Sequence, residues 1–250
     1  MPRFAANLSM LFREYPLLER FSAAMAAGFD LVELLFPYDT NGAELRRILD
    51  QTGQRLILIN TPPPNWTGGA RGFAAIVGGE ARFQHDFKRA LRYAQALNVQ
   101  HIHIMAGAAE GPEARETFIK NLCWATAHAP QQSLTIEPIN PHDMPGYFLN
   151  DFEQAAEILD AVAAPNLALQ FDAYHAHRIT GDVMATWASH GHRAAHVQVA
   201  AAEGRHEPGR GAINYPAFFA QLDAGGYTGA VAGEYNPAAR TEDGLGWAKS

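Results

Sequence analysis

Short runs of aliphatic and β-branched residues alternate along this chain with longer stretches in which apolar positions recur every three or four residues. The runs predict strands over 4–8, 31–35, 56–60, 101–105, 134–137, 167–171, 196–199 and 230–234. The stretches between them predict helices over 17–27, 43–51, 81–97, 113–127, 151–162, 182–189 and 216–224. In the first of these, Leu18, Phe21, Ala24 and Met25 fall at helical steps, as a helix buried along one face requires. Gly28 stands where that helix should end, and Asp151 where the helix opening at Phe152 should be capped.

Each strand is followed by enough chain for a crossover helix, which implies parallel pairing. Eight such units in 250 residues predict one (β/α)8 barrel domain spanning 1–250. A doubly wound sheet is the competitor, but it would carry a glycine-rich turn after its first strand. That stretch reads Ser9-Met-Leu-Phe12. The proline- and glycine-rich stretch 61–79 is the longest irregular piece and predicts a loop over the active-site end, with Trp66 as a candidate cover.

Composition removes several classes of function. Hydrophobic residues make up 48% of the chain and charged ones 18%, enough apolar surface for a large core. A net charge of −7 and only three lysines leave no clustered positive field, so nucleic acid is not an expected partner. No apolar run reaches the roughly 18 residues of a membrane span. Cys123, the single cysteine, cannot form an internal disulfide, and polar residues from Asn7 to Glu14 interrupt any signal-peptide core. A cytoplasmic protein is the expectation, and a homo-oligomer is compatible with it. Lys88 and Lys120 lie on predicted helices and Lys249 near the end, which leaves no strand-end lysine for Schiff-base chemistry. Gly-x-Ser-x-Gly and both glycine-rich nucleotide fingerprints are absent.

Barrel enzymes work at the carboxyl ends of their strands. The last four predicted strands end at or beside Glu137, Asp172, Gln198 and Glu234, separated by 35, 26 and 36 residues, each close to one βα repeat. Three carboxylates and one amide therefore arrive at one height around the mouth. Carboxylates converging in a low-dielectric pocket repel one another, and these strands carry no lysine or arginine to neutralise them. A divalent cation resolves the conflict. An all-oxygen donor set favours Mg²⁺ or Mn²⁺ over zinc.

The motifs around these positions resemble the hydroxypyruvate isomerase family, a branch of the xylose-isomerase-like barrels that includes 2-oxo-tetronate isomerases. The resemblance runs nearly end to end. It rests on Phe4-Ala-Ala-Asn-Leu-Ser-Met-Leu-Phe12, Val32-Glu-Leu-Leu-Phe-Pro-Tyr-Asp39, Asn60-Thr-Pro-Pro63 and Ile136-Glu-Pro-Ile-Asn140. Pro145-Gly-Tyr-Phe148, Leu169-Gln-Phe-Asp-Ala-Tyr-His175, His196-Val-Gln-Val199, Gly204-Arg-His-Glu-Pro208 and Gly233-Glu-Tyr235 extend it. It implies that Glu137, Asp172, Gln198 and Glu234 hold the metal and that Glu137 and Glu234 are the acid/base pair. The implied substrates are small 2-keto-3-hydroxy acids: hydroxypyruvate giving tartronate semialdehyde, or 2-oxo-tetronate giving 3-oxo-tetronate. Both reactions move a proton from C3 to C2, and which glutamate takes it stays open.

Substrate carboxylate calls for a cation or a donor cluster. Arg205, His206 and Glu207, after the seventh strand, are candidates, as is His175, three residues past Asp172. Asn7 and Asn60 end the first and third strands and complete the set of candidate substrate contacts. His101 and His103 alternate along strand four and predict packing or supporting hydrogen bonds inside the barrel, and Glu33, in mid-strand on strand two, is expected as an inward acid supporting the site and not as a catalytic group. His190 and His192 are expected at the surface and Cys123 in the core. Two other functions fit the same architecture. A ketose 3-epimerase would use two glutamates about one metal but generally places histidine where this chain has Gln198. A non-catalytic carboxylate-binding barrel would dispense with one acid/base glutamate, and both are present.

Overall fold

The computed structural model describes residues 2–62, 71–209 and 211–248, so Trp66 and Lys249 lie outside the described residues. Eight parallel strands close in sequence order into a barrel. They are β1 (Arg3–Asn7), β2 (Leu31–Glu33), β3 (Arg55–Asn60), β4 (His101–His103), β5 (Ser133–Ile136), β6 (Leu167–Asp172), β7 (Ala194–Val199) and β8 (Ala230–Gly233). Outside them run α1 (Leu17–Ala26), α2 (Gly42–Thr52), α3 (Glu80–Leu97), α4 (Gly111–His128) and α5 (Phe152–Val162). After β6 come α6 (Ala173–Thr180) and α7 (Val183–His190), and α8 (Tyr215–Ala224) joins β7 to β8. Short 3₁₀ turns at Pro37–Asp39, Gly191–Arg193 and Thr241–Ala248 complete the described elements.

Local chemistry sets the helix ends. Asp151 caps α5 by accepting from the Gln154 amide at 2.8 Å, and Asn41 caps α2 through the Ala43 amide at 2.8 Å. Gly28, at φ +96°, closes α1 in the left-handed conformation glycine tolerates. That helix buries Phe21 and Ala24, whereas Met25 is 45% exposed, off the buried stripe. Helix α6 went unpredicted. Its eight residues, Ala-Tyr-His-Ala-His-Arg-Ile-Thr, carry no extended apolar period, and it forms because Asp172 accepts from the backbone amides of Tyr174 and His175 at 2.7 and 3.3 Å.

The core lies between the strands and the helix ring. There Phe171 meets Trp187 edge-to-face at 5.0 Å and lies 6.0 Å from Phe218. Two assignments, one to the core and one to the surface, reverse. Cys123 is exposed, because α4 turns Phe118, Leu122 and Thr126 inward instead. His190 is buried against Phe152, its Nε2 3.3 Å from Glu153.

Strand alternation fills the barrel interior with an unusual set. At the amino-terminal end Ala5, Leu31, Ile57, Ala230 and Ala232 form a small apolar cluster. Above it the alternating positions carry Asn7, Glu33, His103, Thr135, Gln170 and His196, all buried, where barrels of this kind usually stack branched aliphatic residues. Below them His101 sits with Nδ1 2.8 Å from the Ser133 hydroxyl. Burial, helped by the neighbouring His196, pushes its imidazole from 6.5 down to about 3. The unfolded chain therefore binds a proton below pH 6.5 that the folded chain refuses, so stability falls as the solution is acidified. For this residue the loss is about 1.4 kcal/mol per pH unit between 6.5 and 3. Urea unfolding at pH 7, 6 and 5 checks it. His101→Gln should lose stability less steeply than the wild type by that one proton, and parallel slopes would refute the assignment.

Candidate active site

At the carboxyl end of the barrel, β5, β6 and β8 deliver Glu137, Asp172 and Glu234 into one buried cluster. Asp172 divides its carboxylate between two tasks. Its Oδ1 caps α6, while the buried Oδ2 has no hydrogen-bond partner among the described residues. That oxygen lies 3.7 Å from His175 Nε2 and 3.6 Å from Arg205 Nη2. Glu137 Oε1 is 3.9 Å from the same His175 nitrogen, and donor atoms of Glu137, Asp172 and His175 all fall within 4.8 Å of one another. Glu137 Oε2 accepts from Gln170 at 3.2 Å and stands 3.5 Å from His103.

His175 has its tautomer set from outside. Asn140 Oδ1 accepts from the backbone amides of His142 and Asp143, at 3.1 and 3.0 Å, which fixes that amide and aims its NH₂ at His175 Nδ1, 2.7 Å away. Nδ1 is thus an acceptor and the proton sits on Nε2, facing the carboxylates. Burial holds the ring neutral, its pKa lowered to about 4 although Asp172 works the other way. A neutral N–H donor therefore points into the mouth.

The cation the strands lack comes from a loop. Arg205 at φ +52° follows Gly204 at φ +66°, and the turn is strapped down by the Asn236 amide donating to the Arg205 carbonyl at 2.9 Å. The side chain doubles back to place Nη2 2.7 Å from Glu234 Oε1, its guanidinium 5.0 Å from the centre of the Tyr174 ring and Nη1 3.7 Å from Asp143. Burial opposes its charge, but Glu234, Asp172, Glu137 and Asp143 outweigh burial and raise its pKa.

Burial likewise pushes both glutamates toward protonation. Glu137 rises well above the ordinary carboxylate range, with Glu234 and Asp172 adding repulsion. Glu234 rises to about 8, Asp172 and Glu33 adding to burial while Arg205 and Arg71 pull it down. Both are carboxyls whose surroundings favour the protonated form more than water does.

Gln198 reaches the cluster as expected, but it is engaged on both sides. Its Nε2 donates to Glu234 and, at 3.0 Å, to Glu33, while its Oε1 accepts from Gln170 at 2.8 Å. Asn7 donates to Glu33 at 2.9 Å and reaches Glu234 at 3.5 Å. Asn60 faces His103 and the Met105 sulfur rather than the carboxylates. His206 and Glu207 are not brought to the cluster. The first pairs with the Asn236 carbonyl at 2.8 Å and the second accepts from the Ala238 amide at 3.0 Å, so both tie the arginine loop to the chain after β8. Sequence reasoning missed Gln170, Asn140, Asp143 and Tyr174, which position the others. Asn140 lay inside a motif already singled out, and its asparagine three residues past Glu137 was the available signal.

The family model described as xylose isomerase-like TIM barrel matches residues 21–250. The 2-oxo-tetronate isomerase of Cupriavidus necator is 46% identical, covering 100% of this chain and 98% of that protein. The hydroxypyruvate isomerase of Escherichia coli K12 is 39% identical, covering 99% and 98%. A crystal structure from Brucella melitensis titled AP endonuclease, family 2, superposes with a TM-score of 0.95 at 44% identity, covering 99% of this chain and 98% of that one. A 3-keto-D-glucoside 4-epimerase of Escherichia coli, at 19% identity and TM-score 0.81, shares the fold. With relatives of that identity along its whole length and a closed eight-stranded barrel of this kind, the chain belongs to the hydroxypyruvate isomerase family of xylose isomerase-like TIM barrels and is an isomerase.

Proposed function

We propose that this isomerase interconverts small 2-keto-3-hydroxy acids, hydroxypyruvate with tartronate semialdehyde or 2-oxo-tetronate with 3-oxo-tetronate, using Glu137 and Glu234 to carry the proton between C3 and C2. The names of the relatives supply the substrate class. The observation that carries the assignment is the pair of buried glutamates from strands three places apart, both pushed toward protonation, with Asp172 and Arg205 between them. One glutamate takes the C3 proton and the other delivers a proton to C2, while the hydroxyl proton passes to the former carbonyl oxygen. Positioned acid and base groups of this kind contribute about 10²–10⁴-fold each. His175 offers its Nε2–H to a substrate oxygen. Arg205 offers its guanidinium to the substrate carboxylate, with Tyr174 and Asp143 holding it in place.

The site also fits a hard divalent cation. The buried, unpartnered Oδ2 of Asp172 stands among carboxylates whose mutual repulsion a positive ion would relieve. Glu137, Asp172, Gln198 and Glu234 would hold Mg²⁺ or Mn²⁺, an oxygen set that suits either. Such an ion, when bound, supplies charge stabilisation for the substrate oxygens as they become negative.

Turnover of hydroxypyruvate and 2-oxo-tetronate, measured side by side, tests the reading. Chelator-treated protein should be inactive and should recover with Mg²⁺ or Mn²⁺. Inversion of free ketoses at C3, with neither keto acid consumed, would replace this reading by that of an epimerase.

A further inference from the structure

The most unusual group inside this barrel is Glu33, a carboxylate with no exposed surface, placed one layer beneath the proposed site. Burying a carboxylate is costly unless its lone pairs are filled. The β2–β3 register shifts between Val32 and Glu33, and the β1–β2 register sets Glu33 beside Asn7. Its Oε1 meets His196 Nε2. Its Oε2 accepts from the side-chain amides of Asn7 and Gln198, at 2.9 and 3.0 Å. Both of those amides also reach Glu234 Oε2, Asn7 at 3.5 Å and Gln198 more closely. An NH₂ group has two hydrogens, and here each amide extends one toward Glu33 and one toward Glu234.

We infer that Glu33 is a positioning residue: through the paired amides of Asn7 and Gln198 it sets the orientation of the Glu234 carboxylate and turns the Gln198 oxygen toward the Glu137 side of the mouth. That oxygen is held there by Gln170, which also donates to Glu137, so the bridge runs unbroken from one proposed acid/base glutamate to the other. A glutamine at position 33 can keep an oxygen on the two amides only by turning its NH₂ to His196 Nε2, and a neutral oxygen accepts more weakly than a carboxylate, so the hold on both amides loosens. The inference rests on the proposed roles of Glu234 and Gln198. It assigns to β2 a part in the chemistry although β2 contributes nothing to the carboxylate cluster itself.

The test compares wild type with Glu33→Gln, Glu33→Asp and His196→Gln, reading kcat and KM separately and titrating Mn²⁺ alone by calorimetry. Residues that orient metal ligands typically change affinity or activity by about 10–100-fold when replaced. Glu33→Gln should lower kcat and weaken Mn²⁺ by that order, with KM shifted less than about threefold. Glu33→Asp keeps the charge and should recover part of both losses. It also serves as the reading if the glutamine variant does not fold. His196→Gln leaves the amide bridge in place and should stay within about threefold of wild type.

A folded Glu33→Gln with kcat and Mn²⁺ affinity near wild type would overturn the inference while leaving the proposed reaction intact. Equal losses in Glu33→Gln and His196→Gln would overturn it in favour of a purely structural Glu33–His196 contact. Wild-type turnover that survives chelation, with no heat on adding Mn²⁺, would instead remove the cation from the proposed function. The kcat of Glu33→Gln would then decide the positioning of Glu234 on its own.

Discussion

Glu234→Gln and Glu137→Gln should each lower turnover at least about a thousandfold while leaving the barrel folded. Glutamine preserves the shape of the side chain and removes its ability to take or release a proton. Stability should not suffer. Each carboxyl is buried among others that repel it, Glu234 beside Asp172 and Glu33, and Glu137 beside Glu234 and Asp172, so losing one charge relieves part of the conflict. The exception is the Arg205 contact at 2.7 Å, which Glu234→Gln converts from an ion pair to a neutral hydrogen bond. The double variant should be hardly slower than either single one, since both residues serve the same proton transfer.

Solvent deuterium separates their roles. A variant lacking only the group that delivers the proton to C2 still removes the C3 proton and returns deuterium to C3 without forming product. A variant lacking the base does neither. If both variants exchange C3 at the wild-type rate, a third group is the base and the pair is wrongly assigned.

What could be read in advance, and what could not, follows from how local each feature is. The eight strands were legible because their buried faces leave short dense apolar runs. Their edges moved by at most two residues, in part since Arg3, Arg55 and Ser133 pair at the lower rim while remaining polar. Strand-end spacing singled out Glu137, Asp172, Gln198 and Glu234, which do meet at one end of the barrel, because one residue per βα repeat is a property of sequence. The direction of Arg205 is not such a property. It depends on two successive left-handed residues and on a strap from Asn236, neither visible before the fold exists. The same holds for Glu33, whose partners come from β1 and β7, 26 and more than 160 residues away. His206 and Glu207 carried a motif in sequence, yet their contacts are with the chain after β8. The missing helix α6 shows the opposite limit: an aspartate read only as a strand end was also its cap.

Outside the cluster, Gly72→Ala should cost several kcal/mol of stability, about 2–5. Gly72 lies at φ +101° in an antiparallel bridge with Ala106, and an added Cβ would stand 2.1 Å from the Met105 carbonyl oxygen and 2.7 Å from the Met105 Cβ. Gly107 makes the reciprocal approach, its own Cβ position 2.4 Å from the Gly72 oxygen. Two strands of backbone are thus packed with no room for a side chain. Gly28→Ala is the control, because Gly28 has φ +96° but nothing within 4 Å of an added Cβ. It should show only the conformational cost of alanine at positive φ, about 1–2 kcal/mol. Gly72→Ala adds about 1–3 kcal/mol of overpacking. At about 2–4 °C per kcal/mol for a chain of this size, Gly28→Ala should melt a few degrees early and Gly72→Ala on the order of 10 °C early. Activity should separate them as well. Met105 donates its amide to the Thr61 hydroxyl, Thr61 in turn bonds the His103 carbonyl, and His103 stands 3.5 Å from Glu137. Pushing Met105 therefore disturbs the wall behind a proposed acid/base glutamate, whereas Gly28, below the barrel's far rim, touches nothing connected to it. Equal melting shifts in the two variants would mean that the chain at 72 and 105 yields without cost, and that the close approach does not hold this wall in place.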